Sequence, residues 1–144
     1  MSHAIDANLL LYATDTSSRF HVRALEALEG YANGPELLYL FWPVVMAYLR
    51  ISTHSAILER PLSPEQAAGN IGALIELSHV RSPGEEEGFW ETYRTVAGDS
   101  VVRGNLVSDA HLVALMRQHG VGTIWTHDRD FRRFDGIRVV DPLA

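Results

Sequence analysis

The chain has 144 residues, 47% of them hydrophobic and 21% charged, the proportions of a packed globule that needs neither disulfides nor a structural metal, so a single domain over 1–144 is expected. Cysteine is absent, which excludes disulfides, thiolate zinc sites and a cysteine nucleophile, and suits a cytoplasmic protein. The net charge of −6 argues against a broadly cationic surface, yet all 12 basic residues are arginine, whose planar fork suits phosphate, and local patches rather than net charge decide nucleic-acid binding.

No basic segment followed by a long apolar run opens the chain, so no secretion signal is expected. The longest apolar stretch, Leu37 to Leu49, contains Pro43 and is shorter than the roughly 20 residues that span a bilayer, so no membrane partner is expected. Short apolar runs alternate with helical patterns in the order β-α-α-β-α-α-β-α-α-β-α-β. His3 to Asp6 reads as a first strand, and Asn8 to Ala13 begins a helix that breaks near Asp15 to Ser18. Ser18 is placed to cap the next helix, Arg19 to Ala32, which stops at Asn33-Gly34-Pro35. Leu38 to Trp42 reads as a strand, and Pro43 suits the first turn of a helix reaching about His54. Ser63-Pro64-Glu65 starts a further helix carrying Ala67, Ala68, Ile71, Leu74 and Ile75 on one face.

Ser78 to Arg81 reads as a short strand, and the acidic run from Ser82 to Glu87 as the start of a helix, since carboxylates favour that end of the macrodipole. Asn105 is placed to cap a helix ending before Gly120. Gly122 to Thr126 and Ile137 to Val140 complete the strands. Such alternation predicts an α/β fold, a mainly parallel sheet covered by helices on both faces. Of the aromatic pairs Phe41-Trp42 and Phe89-Trp90, most rings are expected to pack in the core, the alternatives being base stacking or a dimer surface.

In an open parallel sheet, ligands collect beyond the carboxyl ends of the strands, and three aspartates, Asp6, Asp128 and Asp109, are predicted to fall there or close to it. Asp6 closes the first strand, with Asn8 two residues on, and Asp128 follows the strand that finishes at Thr126, with Asp130 two residues further. Asp109, in the first two turns of the Asn105 helix, shares a stripe with Leu106, Val113 and Met116 and so faces inward. An inward carboxylate needs an arginine, a cap or a metal ion. Carboxylates brought together repel, which a divalent cation offsets, and hard oxygen ligands without cysteine favour Mg²⁺ or Mn²⁺ over zinc. An ion so held polarises a phosphoryl oxygen and activates water towards a phosphodiester.

Three segments then carry a resemblance: "IDANLLLYA" at Ile5 to Ala13, "VSDAHLVALMRQHG" at Val107 to Gly120, and "TIWTHDRDFRRFDGIRVVDP" at Thr123 to Pro142. In content, order and separation they resemble the PIN domain, and within it the VapC toxins of toxin–antitoxin pairs. The resemblance implies a PIN-like three-layer α/β/α sandwich with a four- or five-stranded mainly parallel sheet. It implies a metal-dependent endoribonuclease that hydrolyses structured RNA, typically transfer or ribosomal RNA, and thereby inhibits translation. Carried over, Asp6, Asp109 and Asp128 become the catalytic, metal-holding acids, with Mg²⁺ or Mn²⁺ as cofactor. Asn8 and Thr126 become polar supports. Asp130 becomes either a distal metal or water contact or the opening of the following helical turn. Phe131 and Phe134 look like packing residues, while Arg50 and Arg129 are candidate RNA phosphate contacts. Expected partners are RNA, a second copy of the chain and a cognate VapB-type antitoxin, whose tail would send a basic side chain into the acidic groove.

The chain departs from the family pattern at one place. PIN domains usually carry a glutamate on the helix after the second strand, but no acid stands between Phe41 and Leu58, and the corresponding position is about Ala47. This opens an alternative, a PIN fold that silences RNA by binding without cutting. A second alternative is an Asp-based phosphohydrolase acting on small phosphate esters with Asp6 as nucleophile, although Asn8 replaces the second acid of the usual D-x-D. His127 invites a general-base role, against loop packing or an RNA contact. Ser108 has no convincing histidine and acid partner for a serine hydrolase.

Overall fold

A computed structural model describes residues 1–98 and 101–144. The elements follow the predicted order: β1 (Ser2–Ile5), α1 (Ala7–Thr14), α2 (His21–Asn33), β2 (Leu37–Tyr39), α3 (Trp42–Ser52), α4 (Pro64–Ile75), β3 (Val80–Arg81), α5 (Phe89–Ala97), α6 (Asn105–Gln118), β4 (Thr123–Trp125), a 3-10 helix (Arg129–Arg133) and β5 (Arg138–Val140). The five strands form one sheet in the order β3-β2-β1-β4-β5, every pair parallel. From β1 the chain steps outward to β2 and β3, then returns to the other side of β1 as β4. Parallel crossovers are right-handed, so reversing direction moves the connecting helices to the opposite face. Helices α1 to α4 therefore share one face, and α5 with α6 cover the other. The order reverses between β1 and β4, the position beyond whose carboxyl ends ligands collect in open parallel sheets.

The core is one cluster that runs through the sheet. Ile5, Leu38, Leu40, Phe41 and Ile124 are sealed from solvent, as are Val113 and Met116 on the inner stripe of α6. Phe131 and Phe134 plug the segment between β4 and β5, as packing residues should. Pro43 occupies the first turn of α3, where its missing N–H leaves no intrahelical bond unmade. Ser63 and Gln66 form a reciprocal capping box at the head of α4, Gln66 N–H to Ser63 Oγ at 3.1 Å and Ser63 N–H to Gln66 Oε1 at 2.9 Å. No helix of the described residues is long and apolar enough to cross a membrane.

Several local expectations are corrected. The acidic run does not open a helix: α5 begins at Phe89, behind Gly88 at φ 82°, a left-handed conformation that ends the preceding extended segment. Glu85 and Glu86 instead tie that segment to α6. Glu85 Oε1 lies 2.6 Å from His111 Nε2, and the Glu86 N–H donates to Gln118 Oε1 at 3.0 Å. The cap position of α6 belongs to Gly104, at φ 60°, and Asn105 is the first helical residue. Ser18 does not cap α2: the helix starts at His21 with Phe20 at its cap position and no side-chain cap bond, and the Ser18 hydroxyl accepts from the Phe20 N–H at 3.1 Å in the turn before it. Only half of the four paired aromatics are packed away: Phe41 is sealed and Phe89 partly buried, whereas Trp42 and Trp90 are exposed.

Candidate functional site

The parallel register of β1 and β4 pairs Ile5 with Trp125, so the residues one step beyond, Asp6 and Thr126, come side by side at that position. The Asp6 N–H closes the last rung on the Trp125 carbonyl at 3.0 Å. Asp6 also caps α1, its Oδ1 accepting from the Ala7 N–H at 2.7 Å, which fixes the carboxylate plane. Its Oδ2 accepts from the Thr126 hydroxyl at 2.7 Å and from Asn8 Nδ2 at 3.4 Å. One side chain thus holds both strand ends.

Thr126 is the centre of this network and is wholly buried. While donating to Asp6, its Oγ1 accepts from Asn8 Nδ2 at 3.1 Å and from the Asp128 N–H at 2.9 Å. Asn8 completes the ring by accepting from the His127 N–H at 3.3 Å. Asp128 in turn caps the 3-10 helix, its Oδ1 accepting from the Asp130 N–H at 2.9 Å. The bonds that link Asn8, Thr126 and the backbone N–H groups of His127, Asp128 and Asp130 thus fix the Asp6 carboxylate and the loop that carries Asp128.

Asp109 enters from α6 on the opposite face. Carboxylate oxygens of Asp109, Asp128 and Asp130 lie within 4.8 Å of one another, so Asp130 both opens the 3-10 helix and faces the cluster. Asp6 stands outside that trio but close enough to act on it electrostatically. Burial, and then the charges of Asp128, Asp6 and Asp130, push the Asp109 carboxyl up from 3.8 to about 7. Asp6 is raised as well, chiefly by burial and in part by Asp128, against the bonds from Thr126 and Ala7 that favour its charged form.

None of these acids is paired with arginine among the described residues, where every close ion pair involves a histidine. Among the described residues, then, neither an arginine nor a capping N–H meets Asp109. An all-oxygen set with uncompensated charge is what a hard divalent cation requires, so the residues present fit Mg²⁺ or Mn²⁺.

The other candidates lie outside the acidic trio. Arg129 is exposed at the first position of the 3-10 helix, beside Asp128. Arg50 is exposed in the last turn of α3, about 12 Å along the axis from the start of that helix. Ala47 is partly buried in α3, which packs against both α1 and α6. His127 is held from the side, its Nδ1 lying 2.9 Å from Asp141 Oδ2, a partner not singled out from sequence. The pairing of Trp125 with Val140 across β4 and β5 brings the two together, a register no local pattern displays.

A family model described as the PIN domain matches residues 4–137. Ribonuclease VapC48 of Mycobacterium tuberculosis is 52% identical over 144 residues, covering 100% of this chain and 99% of the relative. Ribonuclease VapC37 of the same species is 32% identical over 143 residues, covering 97% and 96%. Among solved structures, M. tuberculosis VapC20, described as a sarcin-ricin loop cleaving toxin, matches with a TM-score of 0.66 at 17% identity, covering 94% of this chain and 98% of that one. VapBC2 of Rickettsia felis, bound to a DNA fragment from its promoter, matches with a TM-score of 0.65 at 15% identity, covering 98% of each chain. At those identities the two structures speak to the fold.

Proposed function

The chain belongs to the PIN-domain family and, within it, to the VapC ribonucleases of toxin–antitoxin systems, and from there we propose that it is a Mg²⁺- or Mn²⁺-dependent endoribonuclease, acting as one domain in the cytoplasm on structured RNA. The observation that carries this reading is the group Asp109, Asp128 and Asp130 beside Asp6, with no arginine neutralising it among the described residues. A divalent ion bound there supplies Lewis-acid polarisation of a phosphodiester and a water activated for in-line attack. Asp6, Asp109 and Asp128 are the acids that hold it, and Asp130 lies within reach as a further or water-mediated contact.

The chain's own part is preorganisation. Thr126 and Asn8 lock Asp6 and the Asp128 loop in one arrangement, so their carboxylates need not reorganise when substrate arrives. Arg129, exposed beside Asp128, steadies a backbone phosphate, and Arg50 serves a more distant stretch of the strand. Transfer or ribosomal RNA is the proposed substrate class, with arrest of translation as the consequence. The sarcin-ricin loop attributed to VapC20 supports the ribosomal case.

A VapB-type antitoxin and a second copy of the chain are the proposed partners, supported by the structural likeness to VapBC complexes. An apolar groove of about 450 Å³ between α1–α2 and α3–α4, lined by Leu10, Leu25, Leu28, Ile71 and Leu74, suits an apolar antitoxin helix. A basic side chain following that helix would compensate the acids and block metal or substrate.

A second reading, RNA binding without cleavage, is favoured by one feature, the lack of any acid on α3 around Ala47. The small-molecule phosphohydrolase reading is weakened by Asp6, whose two oxygens are both engaged by donors and fixed by a helix cap rather than presented for attack. The test is cleavage of total cellular RNA by antitoxin-free protein with Mn²⁺, with EDTA, and with Asp109→Asn. Discrete fragments that need both metal and Asp109 are expected. Tight, metal-independent RNA binding with no fragments would move the assignment to the binding module.

A further inference from the structure

Arg19 lies in the turn between α1 and α2, and its guanidinium carbon stands 4.7 Å from the centre of the Phe20 ring. The Phe20 ring rests 4.7 Å from the ring of His127 and 5.1 Å from that of Tyr12. His127 immediately precedes Asp128 and is itself fixed on two sides, by Asp141 at Nδ1 and by Asn8 at its backbone N–H. The plate beneath Arg19 is thus anchored to α1, to the loop after β4 and to the end of β5, and it is joined through His127 to the loop that carries Asp128.

Arg19 is exposed and joins no ion pair among the described residues, although His127 of its platform adjoins Asp128 in the chain and bonds to Asn8 beside Asp6. A guanidinium over a ring face uses none of its N–H donors on that contact, so the fork stays free and held in place. An RNA strand approaching carboxylates is repelled until cations at the edge take its phosphates, and a fixed cation loses less freedom on binding than a mobile one.

We propose that Arg19, held on the Phe20–His127 stack, binds a backbone phosphate of the RNA strand that reaches the acidic cluster. This rests on the ribonuclease reading and adds to it a substrate contact on the α1–α2 turn, separate from the metal-holding acids.

The test measures binding of a fluorescein-labelled oligouridylate by anisotropy over a range of salt, all variants being built on Asp109→Asn so that no strand is cut. Arg19→Gln, at an exposed position, is expected to weaken binding about tenfold at low salt, the loss of one charge-assisted contact. It should also reduce the slope of log K against log salt by about 0.7. Arg19→Lys should restore the slope but only part of the affinity, because an ammonium lacks the fork. Arg138→Gln, at the start of β5 and so at the other end of the sheet, should change neither. Unchanged affinity and slope in Arg19→Gln, with the parent binding normally, would overturn this contact and leave the ribonuclease reading intact. Failure of the parent to bind RNA, together with no cleavage by the wild-type chain, would overturn both.

Discussion

Replacing Asp109 by asparagine should make the metal-free protein more stable at neutral and alkaline pH, because it removes an uncompensated charge from the acidic cluster. The carboxyl is raised to about 7, so between about pH 4 and 7 the folded chain keeps a proton that the unfolded chain releases. Metal-free stability therefore falls as pH rises through that window, and the loss is complete above about 7. Moving the carboxyl from 3.8 to about 7 corresponds to about 4 kcal/mol at ~1.4 kcal/mol per pH unit, and solvent screening of a partly exposed group lowers this to about 2 kcal/mol. For a chain of this length that is a rise in Tm of about 6 °C.

The assay is thermal unfolding in EDTA, comparing wild type with Asp109→Asn at pH 4 and pH 8. The variant should melt about 6 °C higher at pH 8 and level with wild type at pH 4. Mn²⁺ should then raise the wild-type Tm far more than that of the variant, because only the folded wild type holds the full set of acids. A variant that melts at or below wild type at pH 8 would mean that the Asp109 charge is already compensated within the protein.

Three further outcomes follow from the same geometry. Thr126→Val keeps the shape but strands the Asp128 N–H and removes the donor to Asp6; a loss of about 2–3 kcal/mol in urea unfolding is expected, together with loss of metal-dependent RNA cleavage. Tyr48→Phe removes a buried hydroxyl that lies 2.7 Å from Thr14 Oγ1 and accepts from Asn70 Nδ2 at 2.9 Å; it should cost about 1–2 kcal/mol while leaving the Mn²⁺-induced rise in Tm unchanged. Burial holds His3 down at about 4 despite Glu36, so this residue contributes stability above about pH 6.5 that is lost as pH falls towards 4. His3→Phe should flatten the acid limb of a Tm-against-pH curve.

The fold was legible because its elements carry local signals. Pro43 and Ser63 mark helix starts through a missing N–H and a capping hydroxyl, effects that act within one turn. Asp109 was legible as an inward acid because its stripe neighbours Val113 and Met116 are apolar, and both are buried. Less legible were features set by left-handed glycines: Gly88 and Gly104 displace the starts of α5 and α6 from where acidic or capping residues suggest. Least legible were contacts that depend on strand register. Thr126 reads as a lone hydroxyl until β1 pairs with β4, and His127 finds Asp141 only once β4 pairs with β5. The closeness of Asp130 to Asp109 likewise depends on how the 3-10 helix folds back after Asp128.

Whether Asp6, Asp109 and Asp128 share a divalent ion can be read from anomalous diffraction of crystals soaked in Mn²⁺. The expected result is a peak bounded by those three carboxylates, with Asp130 beside it, that disappears in Asp109→Asn. Absence of a peak beside these acids in the wild-type protein at saturating Mn²⁺, or a peak held by other residues, would mean that they do not hold the ion.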